Sequence, residues 1–174
     1  MLLDIDSSFA PRAAGSRSYR CNVLDAIDIV LIHQLIGRYG HLIDQREWDR
    51  FADLFLPDST IDYHGGTGRV ERSGRDEIVE WFRELEATHP PAHHVTNIVV
   101  DDDADPSGRV DVHSKFFAPF TRPEHEPKRL YGGEYHDVVV KTADGWRFAH
   151  KQCVPQWQLA VMVEDTAPQH RLTY

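Results

Sequence analysis

A chain of 174 residues with a formal charge of −9, 41% hydrophobic and 27% charged residues, has the length for one domain with its own core and the composition of an ordinary globular protein. Its negative charge is spread along the sequence, which argues against nucleic acid as a partner, because a phosphate backbone calls for a basic patch. No apolar run approaches ~18 residues, so no membrane span is expected. The N-terminal Met1-Leu2-Leu3-Asp4-Ile5-Asp6 lacks the basic-then-apolar pattern of a secretory signal. Cys21 and Cys153 have no partners at metal-ligand spacing and read as free thiols in a reducing cytoplasm.

Residues 1–21 show no period and read as an irregular arm. From about Val23 a helical pattern begins, with Asn22 as its expected cap. Ile29, Ile32, Ile36, Tyr39 and Ile43 fall on one stripe, and Leu24, Ile27, Leu31 and Leu35 on a second. A helix apolar on two sides is expected to be clasped between layers. Residues 45–55 read as a second helix with Trp48, Phe51, Ala52 and Phe55 on one face, ended by Pro57. Residues 59–64 form a short strand before Gly65-Gly66-Thr67-Gly68, a turn rather than a phosphate loop, since no long apolar strand precedes it and no helix opens at once. A third helix is expected over residues 74–87, opened by Ser73 and Asp76 in capping-box spacing and burying Ile78, Trp81, Phe82 and Leu85. Strand-like runs follow at 92–100, 109–118, 129–141 and 146–157, with the Asp-rich stretch from Asp101 as a solvated loop and Asp144-Gly145 as a hairpin signal. Helices followed by strands, without alternation, exclude a doubly wound sheet and predict an antiparallel or mixed sheet curved round a helical layer, with an apolar cavity between them.

Eleven histidines are many for this length, so most are incidental. His93 and His94 are neighbours in a strand and point to opposite faces, so only one can face the cavity. We pair His94 with Asp44, which stands where the first helix runs out, and expect His93 to face away. Imidazole exchanges protons near neutrality, and a buried carboxylate on its far nitrogen fixes the tautomer. The competing reading has Asp44 only capping the second helix. His113, His136 and Trp81 are expected to contact substrate. No nucleophile elbow and no HxH or HExxH frame is present, so neither covalent hydrolysis nor a metal or other cofactor is expected.

The order of Tyr39 to Asp44, Trp48-Asp49-Arg50-Phe51, Ile61-Asp62-Tyr63, His93-His94-Val95-Thr96-Asn97 and Asp144-Gly145-Trp146-Arg147-Phe148 resembles the SnoaL-like group of the nuclear-transport-factor-2-like superfamily. Residues 22–157 carry the resemblance, between an arm at 1–21 and a tail at 158–174. Within the group the sequence is most similar to scytalone dehydratases and bile acid 7α-dehydratases. The resemblance implies a cystatin-like α+β cone with three helices packed on a strongly curved, mostly antiparallel sheet. It also implies a catalytic Asp44–His94 pair, with Tyr39 or Tyr63 polarising a carbonyl or assisting hydroxide loss. Ile43 stands where scytalone dehydratases have a second tyrosine, so the same naphthol substrate is not implied. The expected activity is that of a cofactor-independent dehydratase or isomerase acting on a small, apolar, cyclic or polycyclic hydroxy-ketone. The alternatives are a non-catalytic small subunit of a ring-hydroxylating dioxygenase and a small-molecule-binding protein. A homotrimer is expected, with a dimer second.

Overall fold

The computed structural model describes residues 24–65, 68–86, 92–101, 104–105, 107–120 and 128–161. In chain order the elements are α1 (Ala26–Asp44), α2 (Trp48–Ala52), β1 (Phe55–Gly65), β2 (Gly68–Ser73), α3 (Arg75–Glu86), β3 (His94–Val100), β4 (Arg109–Phe120), β5 (Lys128–Thr142) and β6 (Gly145–Val161). The six strands form one sheet in the order β2-β1-β6-β5-β4-β3. Among the described residues only β1 and β6 run parallel; every other pair is antiparallel. The helices contact both ends of this sheet, α3 on β1 and β2 and α1 on β3 and β6, while α2 touches both other helices. A helical layer that reaches the two opposite edges requires the sheet to bend round it, which is the α+β cone. No helix among the described residues is long and apolar enough to cross a membrane.

Local sequence explains most boundaries. Asp25 caps α1 by accepting from the Asp28 N–H at 2.7 Å. The cap expected at Asn22 lies outside the described residues, as do Cys21, the arm and most of the tail. The second helix is shorter than expected, because Phe55 already belongs to β1, opposite Phe148 of β6. β2 is a strand that periodicity missed, since its charged residues hide the alternation; it pairs antiparallel with β1, Gly65 opposite Gly68. Gly74 (φ +95°) accepts the first helical bond of α3, from Ile78, so Ser73 stands one residue outside the cap position. Ala143 and Asp144 make the β5–β6 turn, with Gly145 (φ +109°) opposite Thr142. β6 runs to Val161, past the boundary expected at 157, and Leu159 pairs with Leu130.

The core lies between α1, α3 and the inner face of the sheet. Ile32, Leu35, Ile36, Tyr39, Leu42 and Ile43 of α1 meet Val110, Val112 and Phe116 of β4, Tyr135 and Val139 of β5 and Phe148 of β6. The second apolar stripe of α1 is not clasped: Ile27 is 68% and Leu31 43% exposed, and only Leu35 of its lower part is buried.

Candidate active site

Asp44 is the last residue of α1, and the turn after it is a Schellman motif. The Arg46 N–H bonds the Ile43 carbonyl at 3.1 Å and the Glu47 N–H bonds the Leu42 carbonyl at 3.0 Å. The left-handed position of that motif usually takes glycine; here Arg46 occupies it at φ +56°. Its guanidinium Nη2 donates to the Glu86 carbonyl at 3.0 Å, tying the end of α1 to the end of α3. Glu47, not Asp44, is the residue before α2, so the Asp44 carboxylate is not spent on capping.

That carboxylate meets His93. The His93 backbone N–H donates to Asp44 Oδ2 at 3.0 Å, and the ring Nδ1 lies 2.6 Å from Asp44 Oδ1. The His93 side chain is 7% exposed and that of Asp44 21%. An ionised carboxylate only accepts, so Nδ1 carries the proton and Nε2 presents the lone pair.

The expected partner was the neighbouring histidine. His94 instead lies on the outer face, exposed, with its ring 5.9 Å from that of Phe117. The error is one of strand parity. Asn97 adopts φ +51°, and the β3–β4 register shifts between Thr96 and Val99. Alternation read back from Ile98 and Val100 places His94 inside; the bulge inserts a residue, and the true parity is that of Val95 and His93.

Two tyrosines from α1 and β1 come together on the helical side of the sheet. The Tyr39 and Tyr63 hydroxyls are 2.8 Å apart. Tyr63 packs against Trp81 at 5.1 Å, and the Tyr39 ring stands edge-on to His93 at 6.4 Å. Burial pushes both phenols well above their usual range, so they act as neutral hydrogen-bond donors. His113 and His136 do not join them. They face each other across β4 and β5 on the outer side of the sheet, 5.0 Å apart, because the inward parity of β4 belongs to Val110, Val112 and Ser114.

Two groups escaped sequence reasoning. Glu86 ends α3 on the stripe of Val79 and Phe82, with its side chain 4% exposed and Oε1 3.8 Å from His93 Nε2. A carboxylate at helical spacing from two buried apolar residues was the available signal. Lys151 is fully buried, with Nζ 3.0 and 3.1 Å from the Asp137 oxygens and over the rings of Tyr135 at 3.7 Å and Tyr39 at 4.2 Å. Desolvation pulls the ammonium down and pushes the Asp137 carboxyl up, each opposed by the other's charge. Beside them burial raises the Cys153 thiol to about 12, which leaves it unreactive.

A curved sheet backed by three helices, with an aspartate–imidazole pair and paired phenols on the helical side, defines an α+β cone of the cystatin-like kind. The SnoaL-like domain model matches residues 25–152, and the chain belongs to that family. An uncharacterized protein of Mycobacterium tuberculosis is 32% identical over 133 residues, spanning 75% of this chain and 86% of that one. The anthranilate 1,2-dioxygenase small subunit of Burkholderia cepacia is 28% identical over 137 residues, spanning 71% of this chain and 83% of the subunit. Among solved structures, a candidate scytalone dehydratase of Novosphingobium aromaticivorans superposes with a TM-score of 0.67 at 21% identity, covering 84% of this chain and 96% of that one.

Proposed function

We propose that the protein is a cofactor-independent lyase or isomerase acting on a small cyclic hydroxy-ketone, with His93 as its acid–base group. The observation that carries this reading is the 2.6 Å contact between His93 Nδ1 and Asp44 Oδ1, reinforced by the His93 backbone N–H on the same carboxylate. Asp44 orients the ring and balances the imidazolium. Nε2 takes a proton from the carbon beside the substrate carbonyl, and the C–H electrons pass into an enolate. The Tyr39–Tyr63 pair donates a hydrogen bond to that oxygen. In a dehydration the enolate collapses, the β-hydroxyl leaves, and the proton held by His93 completes water. In an isomerisation the same proton returns to another carbon. Trp81, against Tyr63, supplies an apolar wall for the ring.

The test is turnover on a panel of hydroxylated steroid and polyketide-type ketones. His93→Ala is expected to lower it by about 10²- to 10⁴-fold, the usual worth of a positioned base. His94→Ala is expected to leave it within a few-fold. The opposite ranking would remove the base from the mechanism.

The identity to the anthranilate dioxygenase small subunit favours a second reading, a structural subunit of a ring-hydroxylating oxygenase. A large oxygenase subunit retained by the tagged chain through purification, with no turnover by the chain alone, would favour it over the lyase.

A further inference from the structure

Glu86 stands on the side of His93 opposite Asp44. Its Oε1 is buried and has no hydrogen-bond partner among the described residues, while it lies 3.8 Å from His93 Nε2. The imidazole is thus flanked by two carboxyl groups from two helices, Asp44 from α1 and Glu86 from α3. Among the described residues the other charged group facing Glu86 is Arg46, in the turn after α1, which holds the Glu86 backbone carbonyl. From α1, Tyr39 adds only a neutral ring edge to His93.

A buried carboxyl oxygen without a hydrogen bond costs stability, and packing gives no reason for it. Val79 and Phe82 on the same stripe are apolar, and an apolar residue of similar size would complete the stripe. What a carboxyl supplies that a hydrocarbon cannot is charge beside Nε2. We propose that Glu86 is a positioning residue that acts through His93 and sets how tightly the imidazole holds its proton. The proposal rests on the reading of His93 as the acid–base group.

An ionised Glu86 stabilises the imidazolium from the Nε2 side and makes His93 a stronger base. A protonated Glu86 leaves the ring with the Asp44 carboxylate on its Nδ1 side. Burial, with Asp44 adding to it, moves the Glu86 carboxyl above the usual carboxylate range, against the pull of His93 and Arg46.

The experiment follows the His93 ring by ¹⁵N NMR against pH in the full chain. Glu86→Gln keeps the shape and removes the charge. The His93 midpoint is expected to fall by about one unit, a tenfold loss of proton affinity. The acid limb of the pH–turnover profile should move the same way, and Glu86→Asp should recover part of the shift. A His93 midpoint that does not move in folded Glu86→Gln overturns the proposal. If that variant does not fold, the coupling is read from the other side. The Glu86 carboxyl, followed by ¹³C NMR, should titrate higher in His93→Gln than in the native chain, and an unchanged midpoint again overturns it. These readouts need no turnover. A coupled pair in a chain with no lyase activity would sink the proposed function and leave the inference standing.

Discussion

Gly40 of α1 and His93 at the entry to β3 lie so close that a Cβ on Gly40 would stand 3.1 Å from the His93 carbonyl oxygen. This approach lets the strand begin against the helix, four residues before Asp44, and brings the His93 N–H and ring to one carboxylate. Glycine is a poor helix former, worth about 1 kcal/mol less than alanine in a helix interior, so its place here serves the contact rather than the helix.

Gly40→Ala should therefore separate stability from activity. The propensity gain of about 1 kcal/mol and the strain of moving His93 by a few tenths of an ångström are comparable, leaving the thermal midpoint within a few degrees. Turnover should fall at least about tenfold, because a small misplacement of the catalytic group is costly. Thermal unfolding and turnover on the same preparation check this. Unchanged turnover would mean the His93 position is not set by this contact.

Asp44→Asn asks whether the carboxylate is more than a local acceptor. The amide has one oxygen for the two His93 donors, and its NH₂ would face an N–H. A loss of about 1–3 kcal/mol in stability is expected from denaturant unfolding, as for a hydrogen bond to a charged group. Turnover should drop by about 10²- to 10⁴-fold. An aspartate that merely capped a helix would tolerate asparagine in both measurements.

The helices and the four long strands were legible because their apolar residues repeat at 3.6 or 2 over many positions. Tyr39, Tyr63 and Asp44 were singled out by the resemblance, and the 2.8 Å contact between the two phenols was not legible in the sequence. What failed did so at irregularities that period-2 reasoning cannot see. The bulge at Asn97 exchanged His93 for His94. On β6 the register shifts again, with Phe148 opposite Val139 and His150 opposite Val138. Ala149 is the extra residue, so Lys151 shares the inner face with Phe148, where strict alternation would hold them apart. His113 and His136 were a different error. Their outward parity was visible in Asp111 and Lys115, and the expectation of a polar pocket lining overrode it.

On the outer face, Asp62 should contribute to the acid limb of stability, alongside Glu134, which Lys115 and then His136 also bring to about 2. Arg69 donates to both Asp62 oxygens at 2.7 and 3.0 Å, and Gln152 adds a bond at 2.8 Å. The Arg69 guanidinium, foremost, brings the carboxyl down to about 2. A depressed folded value means the stabilisation is full above the unfolded value of about 3.9 and is lost as pH falls from there toward 2. Because Arg69 is 57% exposed and screened, the loss is about 1 kcal/mol rather than the larger figure the shift alone would give. Urea unfolding between pH 6 and pH 2 should show a shallower slope in Asp62→Asn than in the native chain. Equal slopes would assign the acid limb to other groups.

The buried Lys151–Asp137 pair gives the largest expected effect. Lys151 is 0% and Asp137 2% exposed, so removing one partner strands a charge where water cannot reach it. Lys151→Met should cost about 3–5 kcal/mol at neutral pH. The cost should depend on pH in a defined direction. Burial raises the Asp137 carboxyl, and without the ammonium only the weaker pull of His150 and His136 opposes that rise. A raised folded value means the folded chain holds a proton that the unfolded chain releases. The variant is then least impaired below the unfolded value of about 3.9 and loses stability as pH rises toward the folded one. Adding Asp137→Leu removes the stranded carboxyl, and the double variant should regain native stability or exceed it, as apolar replacements of buried ion pairs often do. Urea midpoints at pH 5 and pH 8 for the native chain, the single and the double variants decide the matter. A single variant that loses under about 1 kcal/mol, with the same midpoint shift at both pH values, would mean the two side chains do not form a buried ion pair.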